Sequence, residues 1–195
     1  MPEYHIAVIP GDGVGPEIGE EAAAVLQTAS DVYGFGIETR VFDWSCDRYL
    51  AQGEMMPSDA LDTLSQFDSI FLGSIGDAAK VPDHVSLDAL LRIRKGFDQY
   101  VNLRPIRIYE GVNSPVTTVD HETLDILVVR ENTEGEYSAV GGFFKPGTPD
   151  AFALQTGVFT RKGCERVIRY AFEAARSRSK LGMGAKVGRV TNCTK

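Results

Sequence analysis

Three arginines on separate predicted elements could bind a doubly charged acid. Arg94 falls in a predicted helix, Arg104 in a predicted strand, and Arg130 at the end of an apolar strand. A guanidinium group presents a planar set of donors that matches a carboxylate in bidentate geometry. Three such groups that converge would suit a small dicarboxylate, whereas three that do not are ordinary solvated charges. The sequence is compatible with both alternatives.

Two further residues have the chemistry of proton transfer. Tyr137 lies in a glycine-flanked loop, and Lys195 lies near a predicted strand end. A structural tyrosine and a surface lysine are the commoner interpretations of such positions. Beside arginines and a metal ion, nearby positive charge would lower both pKa values toward a range useful for acid and base catalysis.

A glycine-rich turn, Gly11 to Gly15, follows an apolar strand and precedes a helix. Backbone amides in such a turn can approach a phosphate or the ribose of a nicotinamide cofactor. The turn departs from the dinucleotide-binding fingerprint because its third glycine arrives too early. Taken alone, a turn of this kind is more often only a turn.

Composition narrows the class of protein. The chain has 195 residues and a net charge of −7, which argues against a general nucleic-acid-binding surface. Its three cysteines are widely spaced, which favours reduced thiols and a cytoplasmic location. Its three histidines lack zinc-ligand spacing. No apolar run approaches the length of a membrane span, so we expect neither a membrane nor a nucleic-acid partner.

Alternating strands and helices predict an α/β fold with a largely parallel sheet in the first half of the chain. A weak shift in composition at 97–100 suggests two domains, 1–99 and 100–195. The predicted elements are strands at 5–9, 37–42, 69–72, 100–109, 124–129 and 186–191, helices at 16–29, 58–67, 86–97 and 160–178, and a β-rich segment at 137–144 that could pair with 151–159.

Ordered motifs along the chain resemble those of the isocitrate/isopropylmalate dehydrogenase family. Residues 9–17 are similar to its N-terminal signature, and Thr194-Lys195 resembles the start of its Thr-Lys-Ser-Asn segment. Three further segments resemble the substrate motifs of the family and occur in the same order, namely residues 90–95, 102–105 and 129–138. The resemblance spans the chain from Ile6 to Lys195.

This resemblance implies a three-layer α/β/α fold whose C-terminal part is missing from this chain. Residues 1–99 would be the N-terminal part of the large, cofactor-side domain. Residues 100–195 would be an incomplete small domain for substrate binding and dimerisation. The β-rich stretch from Tyr137 to Phe159 would be its arm, so the resemblance also implies a homodimer.

The resemblance assigns roles to individual residues. Arg94, Arg104 and Arg130 would hold the carboxylates of the substrate. Lys195 would act as the base on the C2 hydroxyl, directly or through water, and Tyr137 would protonate the enolate that decarboxylation leaves. The remaining assignments are Leu87, Leu90 and Leu91 against the third substituent of the substrate, and Gly13, Val14, Gly73, Ser74, Ile75, Gly76 and Asn132 near the cofactor.

The implied cofactors are NAD and Mn²⁺ or Mg²⁺, with K⁺ as a further candidate. The aspartates that bind the divalent metal follow the lysine motif in the family. We therefore expect no metal ligand within this chain, and an incomplete site if the chain acts alone.

Within the family, residues 81–87 and 97–102 look most like the branch that oxidises tartrate or D-malate. Asp88 and Arg92 depart from that branch, which has apolar or aromatic residues there. Arg92 is either an added carboxylate ligand or a surface change. The alternatives are oxidation of isocitrate or isopropylmalate, and a non-catalytic fragment that binds anions or a partner chain.

Overall fold

The structure is a computed structural model that describes residues 2–117, 124–180 and 188–193. The chain divides into two compact units, Met1–Phe97 and Asp98–Lys195. The assignment of these units to a cofactor-side and a substrate domain stays a prediction. No helix among the described residues is long and apolar enough to cross a membrane.

The first unit is built on a three-stranded parallel sheet, as its alternating pattern predicted. Strand β1 (Glu3–Gly11) lies in the centre, between β2 (Gly36–Val41) and β3 (Ser69–Ser74). All pairs are parallel, so the carboxyl ends of the strands lie at one edge of the sheet. The helices of this unit are α1 (Gly15–Tyr33), α2 (Cys46–Gln52), α3 (Ala60–Leu64) and α4 (Asp83–Gly96).

The core of the first unit lies on one face of this sheet. Ala7 and Ile9 alternate along β1 and are fully buried. Burial of a side chain the size of Ile9 contributes about 2 kcal/mol. The buried apolar residues that share this core are Phe42, Trp44, Cys46, Met55, Met56, Ala60, Leu64, Val81, Ala89 and Ile93.

The described part of the second unit contains two antiparallel strand pairs and one long helix. Strand β4 (Val101–Arg107) pairs with β5 (Asp125–Glu131), and β6 (Gly135–Phe144) pairs with β7 (Phe152–Val158). The predicted pairing of the β-rich segment is therefore confirmed. Helix α5 (Arg161–Lys180) follows Thr160, whose Oγ1 accepts a hydrogen bond of 3.0 Å from the amide of Gly163. Thr160 thus caps the helix by accepting from one of its first amides.

Three sequence-based elements need correction. Helix α2 was not predicted, although Ser45 caps it by accepting a bond from the Arg48 amide. The helix expected at 58–67 is only five residues long. The strand predicted at 186–191 is wrong over 188–191, which form no strand, and residues 186–187 lie outside the described part of the chain.

Candidate functional site

Helix α4 carries the predicted substrate residues of the first unit on one stripe. Its core face is formed by Ser86, Ala89 and Ile93, all buried. With 3.6 residues per turn, positions three, four and seven apart share a face, and a second stripe runs beside the core face. Leu87 is 39% exposed there. This second stripe contains all four predicted residues of the helix, Leu87, Leu90, Leu91 and Arg94.

Arg92 projects from the opposite side of α4. Its Nη2 atom lies 3.4 Å from the carbonyl oxygens of Pro57 and Ser58, just before α3. Around the helix axis, Arg92 and Arg94 are separated by about 160°, measured over the side that faces away from the core. Arg92 therefore braces α4 against its neighbour, which favours the surface-change interpretation over an added carboxylate ligand.

Arg130 and Tyr137 are in direct contact in the second unit. Arg130 Nη2 donates a hydrogen bond of 3.0 Å to Tyr137 Oη. The guanidinium carbon also lies 5.2 Å from the centre of the tyrosine ring. The structure thus brings together a predicted carboxylate ligand and the predicted proton donor. The oxygen of Tyr137 accepts from Arg130, so its own O–H remains a donor.

A β-bulge presents Tyr137 to Arg130. The register between β6 and β7 shifts between Gly135 and Val140, so residues 136–139 are not matched one to one. Ala139 adopts a positive φ of 59°, which is strained for a residue with a Cβ. Gln155 Nε2 donates to the Glu136 carbonyl at 2.9 Å across this bulge. Bulges re-aim side chains and are common beside functional sites.

Arg104 and Arg130 share one face of the β4–β5 pair. Asn102 lies directly opposite Arg130 in the register, and directly opposed residues point to the same face. Arg104 is two residues from Asn102, and its Nε donates to Asn102 Oδ1 at 3.0 Å. The two arginines and the asparagine therefore form one polar patch on this face.

The other face of the β4–β5 pair belongs to α5. Arg178 Nη2 of the helix lies 2.7 Å from Asp125 Oδ1. Arg107 pairs with the same carboxylate across the strands, at 3.3 Å. These contacts, Arg178 first, hold the pKa of Asp125 below its usual range. The ion pairs thus fix α5 on the face opposite to Arg104 and Arg130.

Asn132 is buried directly after β5. Its amide donates to the Tyr100 carbonyl at 3.1 Å, and its Nδ2 donates to the Gln99 carbonyl at 3.0 Å. Its side-chain oxygen Oδ1 is buried without a hydrogen-bond partner among the described residues. A buried acceptor of this kind is rare in folded proteins. It offers an acceptor to a ligand or a water molecule.

Arg166 was missed at the sequence level because it resembles an ordinary helix-surface charge. Its Nη1 donates to both carboxylate oxygens of Asp98, at 2.9 and 2.7 Å. Its Nη2 donates to Thr133 Oγ1 at 2.7 Å, and its guanidinium carbon stacks 4.5 Å from the ring centre of Tyr100. Arg166 therefore ties α5 to the start of β4 and to the loop that carries Asn132.

The carboxylates that follow Arg130 serve to shape this loop. Glu131 accepts bonds from the amides of Thr133 and Glu134 at 2.8 to 3.0 Å. Glu134 accepts from the hydroxyl of Thr160 and, at 2.8 Å, from its amide. These two bonds, the hydroxyl first, hold the pKa of Glu134 below its usual value. Glu134 is thus ionised and joins the loop to the start of α5.

The predicted cofactor segments of the first unit meet at the carboxyl edge of the parallel sheet. Gly11 and Ser74 are register partners there. A Cβ on Gly11 would overlap the Ser74 carbonyl, and one on Gly15 or Gly73 would overlap the Pro10 carbonyl. The three glycines therefore allow main-chain segments to touch, which brings Gly13 and Val14 beside the segment Ser74 to Gly76.

Asp12 joins these segments and was also missed at the sequence level. It is only 4% exposed, and its carboxylate accepts from the amides of Cys46 and Gly76 at 2.8 and 2.9 Å. Burial and the adjacent Asp12 raise the pKa of the Cys46 thiol. The bonded amides are 34 and 64 residues away from Asp12, so local sequence spacing could not reveal them. Its one sequence signal is a carboxylate inside a glycine-rich turn.

The predicted base, Lys195, lies outside the described residues. Within the described ranges, no group of three or more His, Cys, Asp or Glu side chains could hold a metal ion. Arg94 belongs to the first unit, whereas Arg104, Arg130, Tyr137 and Asn132 belong to the second.

Comparison with known proteins gives consistent matches. A family model described as isocitrate/isopropylmalate dehydrogenase matches residues 5–189. The decarboxylating D-malate dehydrogenase of Escherichia coli is 48% identical over 180 residues, covering 91% of this chain and 50% of that protein. The tartrate dehydrogenase/decarboxylase of Pseudomonas putida is 44% identical over 179 residues, covering 91% and 49%. The chain therefore spans about half the length of the curated relatives it matches.

A solved structure of isocitrate dehydrogenase from Methylococcus capsulatus has a similar fold. The match has a TM-score of 0.72 at 29% identity and covers 89% of this chain and 48% of that one. The α/β architecture predicted from the sequence is confirmed by this match.

Proposed function

Because the chain belongs to the isocitrate/isopropylmalate dehydrogenase family, we propose that the protein oxidises and β-decarboxylates a small 2-hydroxy dicarboxylate, tartrate or D-malate, with NAD. The similarity to decarboxylating D-malate and tartrate dehydrogenases, at 48% and 44% identity, supports this choice of acid. The observation that carries the proposal is the contact between Arg130 Nη2 and Tyr137 Oη.

The arginines bind and orient the acid in this proposal. Arg104 and Arg130 lie on one face of the β4–β5 pair, and each offers a fork of N–H donors to a carboxylate. The apolar stripe of α4, with Leu87 at its start, would meet the third substituent and exclude water from it. Arg94 on the same stripe would take a second carboxylate.

Tyr137 gives up a proton in this proposal. After loss of carbon dioxide, its Oη–H would protonate the carbon from which the carboxylate departed. The phenolate left behind would keep its bond from Arg130 Nη2, so its negative charge is stabilised where it forms. Arg130 would thus serve the acid and the proton donor at the same time. Lys195 would take the proton of the C2 hydroxyl.

In this proposal NAD would bind at the carboxyl edge of the parallel sheet, beside the turn in which Gly13 and Val14 are exposed. Such edges are the usual ligand sites of open α/β sheets. The main chain can come close to a ligand at Gly13, where a Cβ would meet no atom within 4 Å. Gly13, Val14 and the segment Gly73 to Gly76 would hold the cofactor in the first unit. When bound, NAD would accept the hydride that leaves the carbon bearing the hydroxyl.

A divalent metal is implied by the family, and it polarises oxygen atoms when bound. The described residues contain no ligand cluster for it. Its ligands are therefore not assigned to any described residue, and the roles of Arg104, Arg130 and Tyr137 do not depend on it. Mn²⁺ or Mg²⁺, K⁺ and the cytoplasmic location remain predictions.

The β6–β7 hairpin supports the proposal of a homodimer. One of its faces carries exposed apolar side chains, and Phe144 and Phe152 stack with their ring centres 4.9 Å apart. Phe152 is 57% exposed and Leu154 is 61% exposed. A second copy of the hairpin would cover this apolar surface. Sedimentation of the purified protein tests the dimer, and a monomer at micromolar concentration would contradict it.

The activity is tested by NADH formation from NAD with Mn²⁺ and each of four acids: D-malate, tartrate, isocitrate and isopropylmalate. We expect D-malate or tartrate to give the highest kcat/KM. Faster turnover of isocitrate or isopropylmalate would contradict the proposed substrate. Thermal unfolding with each acid provides a second readout. An absence of both turnover and acid-dependent stabilisation would contradict the proposal as a whole.

Two arginines on β4 make a matched pair for the substrate site. Arg104→Gln should raise KM for the acid about tenfold or more, because it removes a donor fork from the polar patch. Arg107 lies on the other face, which is covered by α5. Arg107→Gln should therefore leave KM within about twofold of the wild-type value. Equal effects of the two substitutions would speak against a site on the Arg104 face.

A further inference from the structure

Asp12 is buried at the junction of the two segments that the proposed function assigns to NAD. Its own amide donates to the Ser74 carbonyl, and its Oδ2 accepts from the Gly76 amide at 2.9 Å. Its Oδ1 accepts from the Cys46 amide at 2.8 Å, at the first residue of α2. One side chain therefore links the end of β1, the start of α2 and the loop after β3.

These bonds leave little freedom to the surrounding main chain. Gly11 and Gly15, on either side of Asp12 in the turn, touch the Ser74 and Pro10 carbonyls so closely that a Cβ would overlap them. The amide of Gly15 donates to the Asp12 carbonyl at 2.9 Å. The turn and the loop after β3 are thus fastened together at several points, and Asp12 contributes its side chain to these bonds.

We propose that Asp12 is a positioning residue for the nicotinamide cofactor: it sets the spacing between the turn at Gly13–Val14 and the segment Ser74 to Gly76. This inference rests on the proposed function for the identity of the ligand. Asp12 itself does not touch the cofactor, because its two carboxylate oxygens are occupied by main-chain amides in a buried position. It acts by holding the two segments at a fixed distance, so that both can contact one ligand.

The substitution Asp12→Asn tests this role with little change in shape. An asparagine oxygen can accept from one of the two amides, whereas its NH₂ group can accept from neither. One segment would then lose its link. Asp12→Ala removes both links and leaves two buried donors unsatisfied, so it should be the more severe change.

Asp68 provides a control at the opposite end of the same sheet, in an exposed position. Its Oδ2 accepts from the His5 amide at 2.8 Å, and its own amide donates to the His5 carbonyl at 2.9 Å. It thus links β1 to β3 as Asp12 does, but at their amino ends. Asp68→Asn should disturb the sheet without disturbing the proposed cofactor segments.

The experiment measures NADH binding by fluorescence titration and D-malate binding by calorimetry on each folded variant. We expect Asp12→Asn to weaken NADH binding about tenfold and to leave D-malate binding within twofold. Asp68→Asn should leave both within twofold. Hydrogen exchange should become faster in the peptides that cover residues 11–15 and 74–77 of Asp12→Asn, and Asp12→Ala should increase this exchange further.

The outcomes separate the two proposals. If the wild-type protein binds NADH but Asp12→Asn binds it equally well, the role of Asp12 is overturned and the proposed cofactor stands. If hydrogen exchange in the two segments is unchanged in both Asp12 variants, the positioning role is overturned, whatever the result of the NADH titration. If the wild-type protein binds no NADH, the proposed cofactor fails, and the inference fails with it.

Discussion

Arg166 on α5 binds the carboxylate of Asp98: its Nη1 donates to the two oxygens at 2.9 and 2.7 Å. The side chain of Arg166 is 18% exposed, whereas that of Asp98 is 61% exposed. Arg166 also donates to Thr133 Oγ1 at 2.7 Å. One helix residue thereby holds the start of β4 and the loop after β5, which is the loop that carries Asn132.

Removal of the hydrogen bonds that Arg166 makes to Asp98 and Thr133 should destabilise the second unit. We expect Arg166→Met to lower the free energy of unfolding by about 2 kcal/mol, since it breaks charged hydrogen bonds at a largely buried position. Urea unfolding measures the change. Arg161→Met is the control, because Arg161 is 89% exposed and its ion pair within the described residues is with Glu165, one turn away. That change should cost about 0.5 kcal/mol or less. Equal losses in the two variants would contradict a special role for Arg166.

The hydroxyl of Tyr137 should matter for turnover and little for stability. Tyr137→Phe keeps the ring that faces Arg130 but removes the proton donor and the acceptor of the 3.0 Å bond. We expect kcat to fall by about 10² to 10⁴, the usual contribution of a general acid, with KM nearly constant. Steady-state kinetics test this. A rise in KM with an unchanged kcat would assign Tyr137 to substrate binding and not to proton transfer.

Two arginines on α4 should behave differently because they project from opposite sides of the helix. Arg94→Gln should raise KM for the acid by about tenfold or more, since it removes a proposed carboxylate ligand. Arg92→Gln removes the bonds to the carbonyls of Pro57 and Ser58. It should leave KM within about twofold and cost about 1 kcal/mol in the free energy of unfolding. A raised KM in Arg92→Gln would restore its interpretation as an added ligand.

Stability should decline as acid protonates Glu134. Thr160 lowers the pKa of Glu134 in the folded protein from its usual value of 4.5. A lowered folded pKa means that the unfolded state binds the proton first as the pH falls. The stabilisation is therefore fully present above about pH 5 and is lost as the pH falls through the folded pKa.

Glu134→Gln isolates this contribution. At pH 6 we expect the variant to be less stable than the wild-type protein by about 1 kcal/mol, a modest value because solvent screens the site. The difference should shrink when unfolding is measured near pH 3. A difference that stays constant over this range would show that the ionised carboxylate is not the source.

Close contact between main-chain segments should make Gly73 intolerant of any side chain. A Cβ on Gly73 would overlap the Pro10 carbonyl oxygen and lie 3.1 Å from that of Gly15. We expect Gly73→Ala to cost about 2 kcal/mol or more in thermal or urea unfolding. Gly142→Ala is the control, because a Cβ there meets no atom within 4 Å. It should change stability by less than about 0.5 kcal/mol.

Local patterns in the sequence predicted the strands well and failed where a structure depends on distant partners. The apolar run at 5–9 and the pairing of 137–144 with 151–159 are local signals, and both are confirmed. The strand at 186–191 had a suitable composition, but 188–191 form none, because a strand needs a neighbour that composition does not supply. Helix α2 was overlooked although Ser45 and Gly53 mark its two ends.

The same distinction holds for the candidate site. Arg130 and Tyr137 are seven residues apart and lie within one recognisable motif, so their association was open to sequence reasoning. Asp12 and Arg166 are different, because they act on residues 64 and 68 positions away. In the sequence, each looks like an ordinary charged residue in a turn or on a helix.

The contacts of Gly11, Gly15 and Gly73 also limit how this region can change over generations of mutation. A clash with a neighbouring side chain can be relieved by a second mutation that shortens that side chain. Here the clashing atoms are carbonyl oxygens of Ser74 and Pro10, which every amino acid carries. A selection for suppressors of Gly73→Ala should therefore return the glycine itself and seldom a compensating change elsewhere.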